Sequence, residues 1–135
     1  MSNPTRTSIL IGLLLVAASL AGCGRDRNPI ASFQPEVVNN TDAFQFQITD
    51  ASKVTTTLSY TWVNTGTRAT VDHSTSTKAG GASIEIRDAS GTQVYSSALI
   101  ASGVQETLVG TAGNWTVRVV FANFGGTANF RAEKL

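Results

Sequence analysis

Apolar residues recur at every second position from Ala43 almost to the end of this chain, a pattern that little besides β structure accommodates. Phe44, Phe46 and Ile48 alternate with Gln45, Gln47 and Thr49; Leu58, Tyr60 and Trp62 alternate with Thr57, Ser59 and Thr61; Ile84 and Ile86 alternate with Ser83, Glu85 and Arg87. Successive side chains of an extended strand point to opposite faces, so each run predicts a strand with one buried and one wet face. Trp115, Val117, Val119 and Phe121 share a face, Gly125-Gly126 breaks the run, and Ala128, Phe130 and Ala132 resume it opposite Asn129, Arg131 and Glu133, which predicts a closing hairpin. Arg87-Asp88-Ala89-Ser90-Gly91-Thr92-Gln93-Val94-Tyr95 predicts another, with Gly91 at positive φ. Residues 69–75 and 104–109 are candidates for two shorter strands. About seven or eight strands, with no helical period after the first 22 residues, predict an all-β fold: an antiparallel β-sandwich over residues 43–135.

The start of the chain follows another rule. A polar stretch with one positive charge, Arg6, precedes an apolar run from Ile9 to Leu20. That is the pattern of a signal peptide, and the run is well short of the ~20 residues a membrane-spanning helix needs. It ends in Leu20-Ala21-Gly22-Cys23, which resembles the lipobox of bacterial lipoproteins. The resemblance implies that residues 1–22 are removed by a peptidase that recognises Leu20, Ala21 and Gly22, and that the Cys23 thiol carries a diacylglyceryl group, its new amino group often a further acyl chain. Two or more acyl chains make membrane attachment stable, at about 0.8 kcal/mol per buried CH₂. Gly24 follows the cysteine where Asp would favour inner-membrane retention, so the cell envelope is the expected location, on the outer membrane in a bacterium that has two. Residues 23–42 hold Pro29 and Pro35 and no sustained period, and are expected as a flexible tether. Within it, Arg25 and Arg27 are either simply solvated or in contact with anionic headgroups, at about 1 kcal/mol each.

Cys23 is the only cysteine, so neither an intramolecular disulfide nor a multi-cysteine zinc site can form, and stability has to come from packing. The part beyond the leader is long enough for a core of its own. Loss of the leader removes one of the ten basic residues and none of the nine acidic ones, leaving a formally neutral domain with scattered Lys and Arg. Nucleic acid is not an expected partner, since its binders concentrate basic residues on one face.

Gly80-Gly81-Ala82-Ser83-Ile84-Glu85-Ile86-Arg87-Asp88-Ala89-Ser90-Gly91 and Ala112-Gly113-Asn114-Trp115-Thr116-Val117-Arg118-Val119 are similar to bacterial pre-peptidase C-terminal domains. The likeness covers roughly residues 43–134. It implies a small jelly-roll-like sandwich, a module that usually accompanies a secreted peptidase and assists substrate or surface binding. No peptidase is expected within these 135 residues.

Groups that could carry chemistry are few. His73 is the only histidine, and Asp72-His73-Ser74 has the residue types of a hydrolase triad. Triad partners converge from separate segments, and neighbours on a strand point apart, so His73 is expected at the surface and not in catalysis. No Gly-x-Ser-x-Gly elbow is present. Asp50, Asp72, Asp88, Glu85 and Glu106 could include calcium ligands, but their spacing forms no ligand run, and Asp88 is expected to cap its own turn. Trp62 and Trp115 could stack on sugars, yet each shares a face with apolar neighbours and is expected in the core. Asn39 and Asn114 begin Asn-x-Thr sequons, of little meaning in a bacterium, and Gly80-Gly81 precedes no helix and is no phosphate loop. The expectation is a non-enzymatic envelope lipoprotein without a cofactor beyond the lipid on Cys23. Its β domain binds an envelope protein or polysaccharide. The alternatives are a structural component of an envelope assembly and, more remotely, a hydrolase accessory domain.

Overall fold

A computed structural model of the protein describes residues 28–135; the leader, Leu20, Ala21, Gly22, Cys23, Arg25 and Arg27 lie outside the described residues. Seven strands form: β1 (Glu36–Asn40), β2 (Ala43–Asn64), β3 (Ala69–His73), β4 (Ser76–Arg87), β5 (Gln93–Ala98), β6 (Gly103–Glu106) and β7 (Gly113–Lys134). Among the described residues one 3-10 turn, Ala31–Phe33, precedes them. Every strand pairing is antiparallel. The strands run β1-β2-β7-β3-β6, and β4 joins β7 to β5, in one continuous sheet that does not close into a barrel. The all-β antiparallel class is the one the alternation predicts.

The sheet is organised by β2 and β7, which pair along almost their whole length and then double back together. Residues 43–48 of β2 pair with residues 128–133 of β7, and residues 56–64 with residues 113–121. The Asp42 amide donates to the Val63 carbonyl at 2.8 Å, so the two ends of β2 meet. One half of the sheet comprises β1, β3, β6 and the outer parts of β2 and β7. The other comprises β4, β5 and the remaining parts. Phe46 of the first half lies 6.1 Å from Tyr60 and 6.1 Å from Phe121 of the second, centroid to centroid, and 5.6 Å from Phe130 beside it. The two faces thus share one aromatic core, an arrangement compatible with a sandwich.

Bulges make the fold-over possible while keeping the core side inward. On β2 the buried positions are Phe44, Phe46, Ile48, then Ala51, then Val54, and later Trp62 and Asn64. Each step of three contains one extra residue at positive φ, Asp50 (47°) and Lys53 (54°). Because the apolar residues of β2 stand at even positions on both sides of the bend, two inserted residues are needed to keep both sets inward, whereas β7, whose buried residues pass from odd to even positions, needs one. On β7 the buried series Trp115, Val117, Val119, Phe121 passes to Phe124, Ala128, Phe130, Ala132 through one such residue, Asn123 (47°). Gly80 and Gly126 are required at the bend: a Cβ on Gly80 would lie 2.2 Å from the Asn123 carbonyl oxygen, and one on Gly126 would lie 2.0 Å from that of Ser76.

Three expectations are corrected here. The runs at 43–49 and 57–62 are one strand, because the backbone stays paired through the bulges. The break at Gly125-Gly126 is likewise a bend within β7 and not a hairpin, since both flanks pair with β2. The folded body also starts before Ala43: Ile30 is buried and β1 pairs with residues 43–47. The hairpin predicted around Asp88 forms between β4 and β5, with Gly91 at φ 85°.

Two seams remain where the doubled sheet does not close. Along the first, β1 approaches the second half of β2. There the Asn39 side-chain amide donates to the Thr61 carbonyl (2.8 Å) and Trp62 Nε1 to the Asn40 carbonyl (3.1 Å). Along the second, β5 and β6 are linked by residues 99–102, and Leu108 donates its amide to the Val94 carbonyl at 2.9 Å.

Candidate functional site

At the amino-terminal end the chain is fixed on the body. Asn28 accepts the Ile30 amide on its side chain (3.1 Å) and the Ala31 amide on its carbonyl (3.0 Å), which seats Ile30 in the core at 1% exposure. Cys23 precedes Asn28 by five residues, so at most about 17 Å of extended chain separates the two.

The second seam is closed by the molecule's one buried imidazole. The alternation that points Ala69 and Val71 of β3 inward carries His73 inward as well, leaving it 1% exposed, whereas Asp72 faces out. This overturns the surface position expected for His73. The parity of Ala69, Val71 and His73 was the signal that would have found it. His73 Nε2 lies 2.6 Å from the Tyr95 hydroxyl of β5, and that hydroxyl donates to Gln105 Oε1 of β6 at 2.8 Å. A phenol has one proton to give. Tyr95 gives it to Gln105, so it accepts from Nε2, and the ring is the neutral Nε2–H tautomer. Nδ1 is then a bare lone pair, buried without a partner. Burial pushes the His73 pKa below its ordinary value of 6.5, with the nearby Asp72 charge opposing; burial pushes Tyr95 above its ordinary 10.0, with Ser97 opposing. No spacing rule could have exposed Tyr95 as a partner, because the irregularity between Ile86 and Arg87 lets both Val94 and Tyr95 turn inward.

Asp88 is the second concentration of polar contacts. Its Oδ1 accepts from the Ser90 amide (3.0 Å), the Ser90 hydroxyl (2.7 Å) and the Thr92 amide (2.8 Å), and Oδ2 from the Thr111 amide (2.7 Å). The Ser90 hydroxyl above all, with the Thr111, Thr92 and Ser90 amides, holds its carboxyl down at about 2. Both oxygens are occupied by fixed donors, so the role is the predicted turn cap, extended to tie the loop before β7. A third cluster joins Asp42, Thr65 and Lys134, where the Lys134 ammonium, 2.7 Å away, lowers the Asp42 pKa most, aided by Thr65.

The remaining candidates are kept apart. Glu85 bonds Arg87 at 2.6 Å, Glu106 pairs with Arg68, Asp50 reaches Lys78 at 3.4 Å, and Asp72 is exposed. Among the described residues no group of three His, Cys, Asp or Glu could hold a metal ion. Trp62 and Trp115 are fully buried and meet edge to face at 5.8 Å, as their parity predicts, and therefore offer no sugar platform. Asn39 and Asn114 are exposed, and Gly80-Gly81 belongs to the bend. The most exposed large apolar residues described are the neighbours Leu108 (70%) and Val109 (71%). Their loop is held rigidly through the Thr107, Leu108 and Gly110 amides, bonded to the Ala69, Val94 and Thr67 carbonyls. Compared with known protein families the sequence matches none, and no curated protein matches it.

Proposed function

We propose that this protein is a bacterial lipoprotein anchored in the cell envelope through lipid on Cys23, and that its β domain is a non-enzymatic binding or interaction module. The observation that carries the reading is the sequence Leu20-Ala21-Gly22-Cys23, with the sole cysteine of the chain, at the end of a short apolar run behind one positive charge. Cleavage before Cys23 leaves a thioether-linked diacylglyceryl group on its sulfur and a free amino group for a further acyl chain. With no more than about 17 Å of chain between Cys23 and Asn28, the domain stays against the bilayer surface and does not swing far from it. The small number of charged and nucleophilic groups, the commitment of His73 to Tyr95 and of Asp88 to its turn support a binding role over hydrolysis. Leu108 and Val109, exposed side by side on a loop pinned by three backbone hydrogen bonds, offer an apolar contact that an interaction role could use. The similarity to pre-peptidase C-terminal domains adds polysaccharide or peptide binding at the surface as a related possibility, and a purely structural place in an envelope assembly is the alternative.

The test is Cys23→Ser in cells, with fractionation and intact-mass measurement. The variant should move to the soluble fraction or persist as uncleaved precursor, while the parent carries the added mass of acyl chains. Unchanged membrane association of an unmodified parent would overturn the anchor. Cross-linking in intact cells separates the two roles: one stoichiometric envelope partner marks an assembly component, and saturable binding of a glycan or peptide marks a binding module.

A further inference from the structure

We propose that His73 is a proton-sensitive latch on the β5–β6 seam, whose protonation loosens β6 (Gly103–Glu106) and frees the edge of β3. The inference stands on the seam's geometry and needs neither the lipid anchor nor any partner. His73 is the link between three strands: it stands on β3, donates to Tyr95 of β5, and through that hydroxyl is connected to Gln105 of β6. The chain of bonds has a fixed direction, and it leaves Nδ1 without a partner in a buried site. A second proton would place a charged N–H at that position with nothing to accept it, which a buried site tolerates poorly.

The surroundings offer little to offset such a charge. From β7 the paired residue is Phe130; from β6, Gly103 and Gln105; from β5, the Tyr95 hydroxyl. Asp72, the neighbour on β3, is the one carboxylate acting on the ring, and it is exposed on the opposite face. Arg131, opposite Asp72 in register, and Glu106, paired with Arg68, are exposed too. The ring's reluctance to take a proton in the closed state agrees with this arrangement. What yields first is set by β6, which has four residues, pairs with β3 alone and is exposed at all but Gly103. Opening it costs few contacts, whereas the β2–β7 ribbon stays paired over most of its length. Once open, imidazole returns to its ordinary affinity for protons, and the open form gains population as the pH falls below about 6.5, by up to about tenfold per unit.

The experiment is amide hydrogen exchange on the full chain in detergent between pH 7.5 and 5, corrected for intrinsic exchange. Residues 103–106 should lose protection steeply below pH 6.5, by up to about tenfold per unit, while β2 and β7 keep theirs. His73→Gln retains an N–H donor toward Tyr95 and cannot titrate, so its profile should be flat. A flat profile in the parent, or the same slope in His73→Gln, overturns the latch. Should that variant not fold, the imidazole C–H resonance of the parent decides: titration below 6.5 with broadening of the β6 amides supports it, and titration at or above 6.5 overturns it.

Discussion

The two seams of the doubled sheet lie on opposite sides of one core and are closed by different chemistry. Along β1 and β2 the closing groups are an indole, a carboxamide and backbone carbonyls, none of which changes charge at any pH a cell meets. Along β5 and β6 they are an imidazole and a phenol, one of which does. The first seam is therefore fixed and the second conditional, although the two look alike as hydrogen-bonded closures of an open sheet. The chain also enters the body beside the fixed seam, where Ile30 is buried and Phe33 packs against the core. A domain held by its amino terminus would thus keep its attached side rigid and its far seam free to respond.

The largest effect should come from breaking the fixed seam. Trp62→Ala removes a fully buried indole, its edge-to-face contact with Trp115 at 5.8 Å, and the bond to the Asn40 carbonyl. A loss of about 3–5 kcal/mol is expected in denaturant unfolding, the same at pH 7.5 and 5.5. A loss that grew on acidification would show that this seam, too, is titratable.

Next comes the conditional seam. Tyr95→Phe keeps the ring but leaves His73 Nε2–H and Gln105 without their bonds, at an expected cost of about 1–3 kcal/mol at pH 7.5. The parent itself should weaken in acid through two separate windows. The His73 pKa is lowered on folding, so its contribution is complete above 6.5 and is lost as pH falls below that value. The Asp88 pKa is lowered from 3.8 to about 2, so its contribution is complete above 3.8 and is lost as pH falls from there toward 2. Thermal unfolding followed from pH 8 to 2 should show two steps. Asp88→Asn should shrink only the lower one, to which the Asp42 carboxyl lowered by Lys134 also contributes, and His73→Gln should abolish only the upper.

The sequence shows these two seams unequally. Alternation alone places Phe44, Phe46, Trp62, Trp115 and Phe130 in the core, because a residue's face follows from its neighbours along one strand. It also yields the Asp88 turn, whose contacts with Ser90 and Thr92 are local. Alternation fails where a strand carries an extra residue. Asp50, Lys53 and Asn123 at positive φ look in sequence like the ends of strands, so two bent strands of 22 residues read as four straight ones. The His73–Tyr95–Gln105 chain depends on which strands lie across the seam from each other, and that follows from the doubling of β2 and β7, which no local pattern encodes. Strand β1 was missed for a different reason: Glu36-Val37-Val38-Asn39-Asn40 is exposed throughout and so has no alternation to read.

The smallest effect tests whether the seams are separate. Asn39→Ala deletes one exposed bond, to the Thr61 carbonyl, and should cost about 0.5–1 kcal/mol, because water can replace the lost donor. Asn39 sits on β1, at one edge of the sheet, and Tyr95 on β5 bonds across the opposite edge, with no shared partner. The double variant Asn39→Ala/Tyr95→Phe should therefore be additive to within about 0.5 kcal/mol at pH 7.5. Acidification should leave the Asn39→Ala increment unchanged, since no titrating group touches that bond. A coupling above about 1 kcal/mol would mean that the two closures form one cooperative unit through the core, and that loosening the conditional seam also reaches the side on which the chain enters.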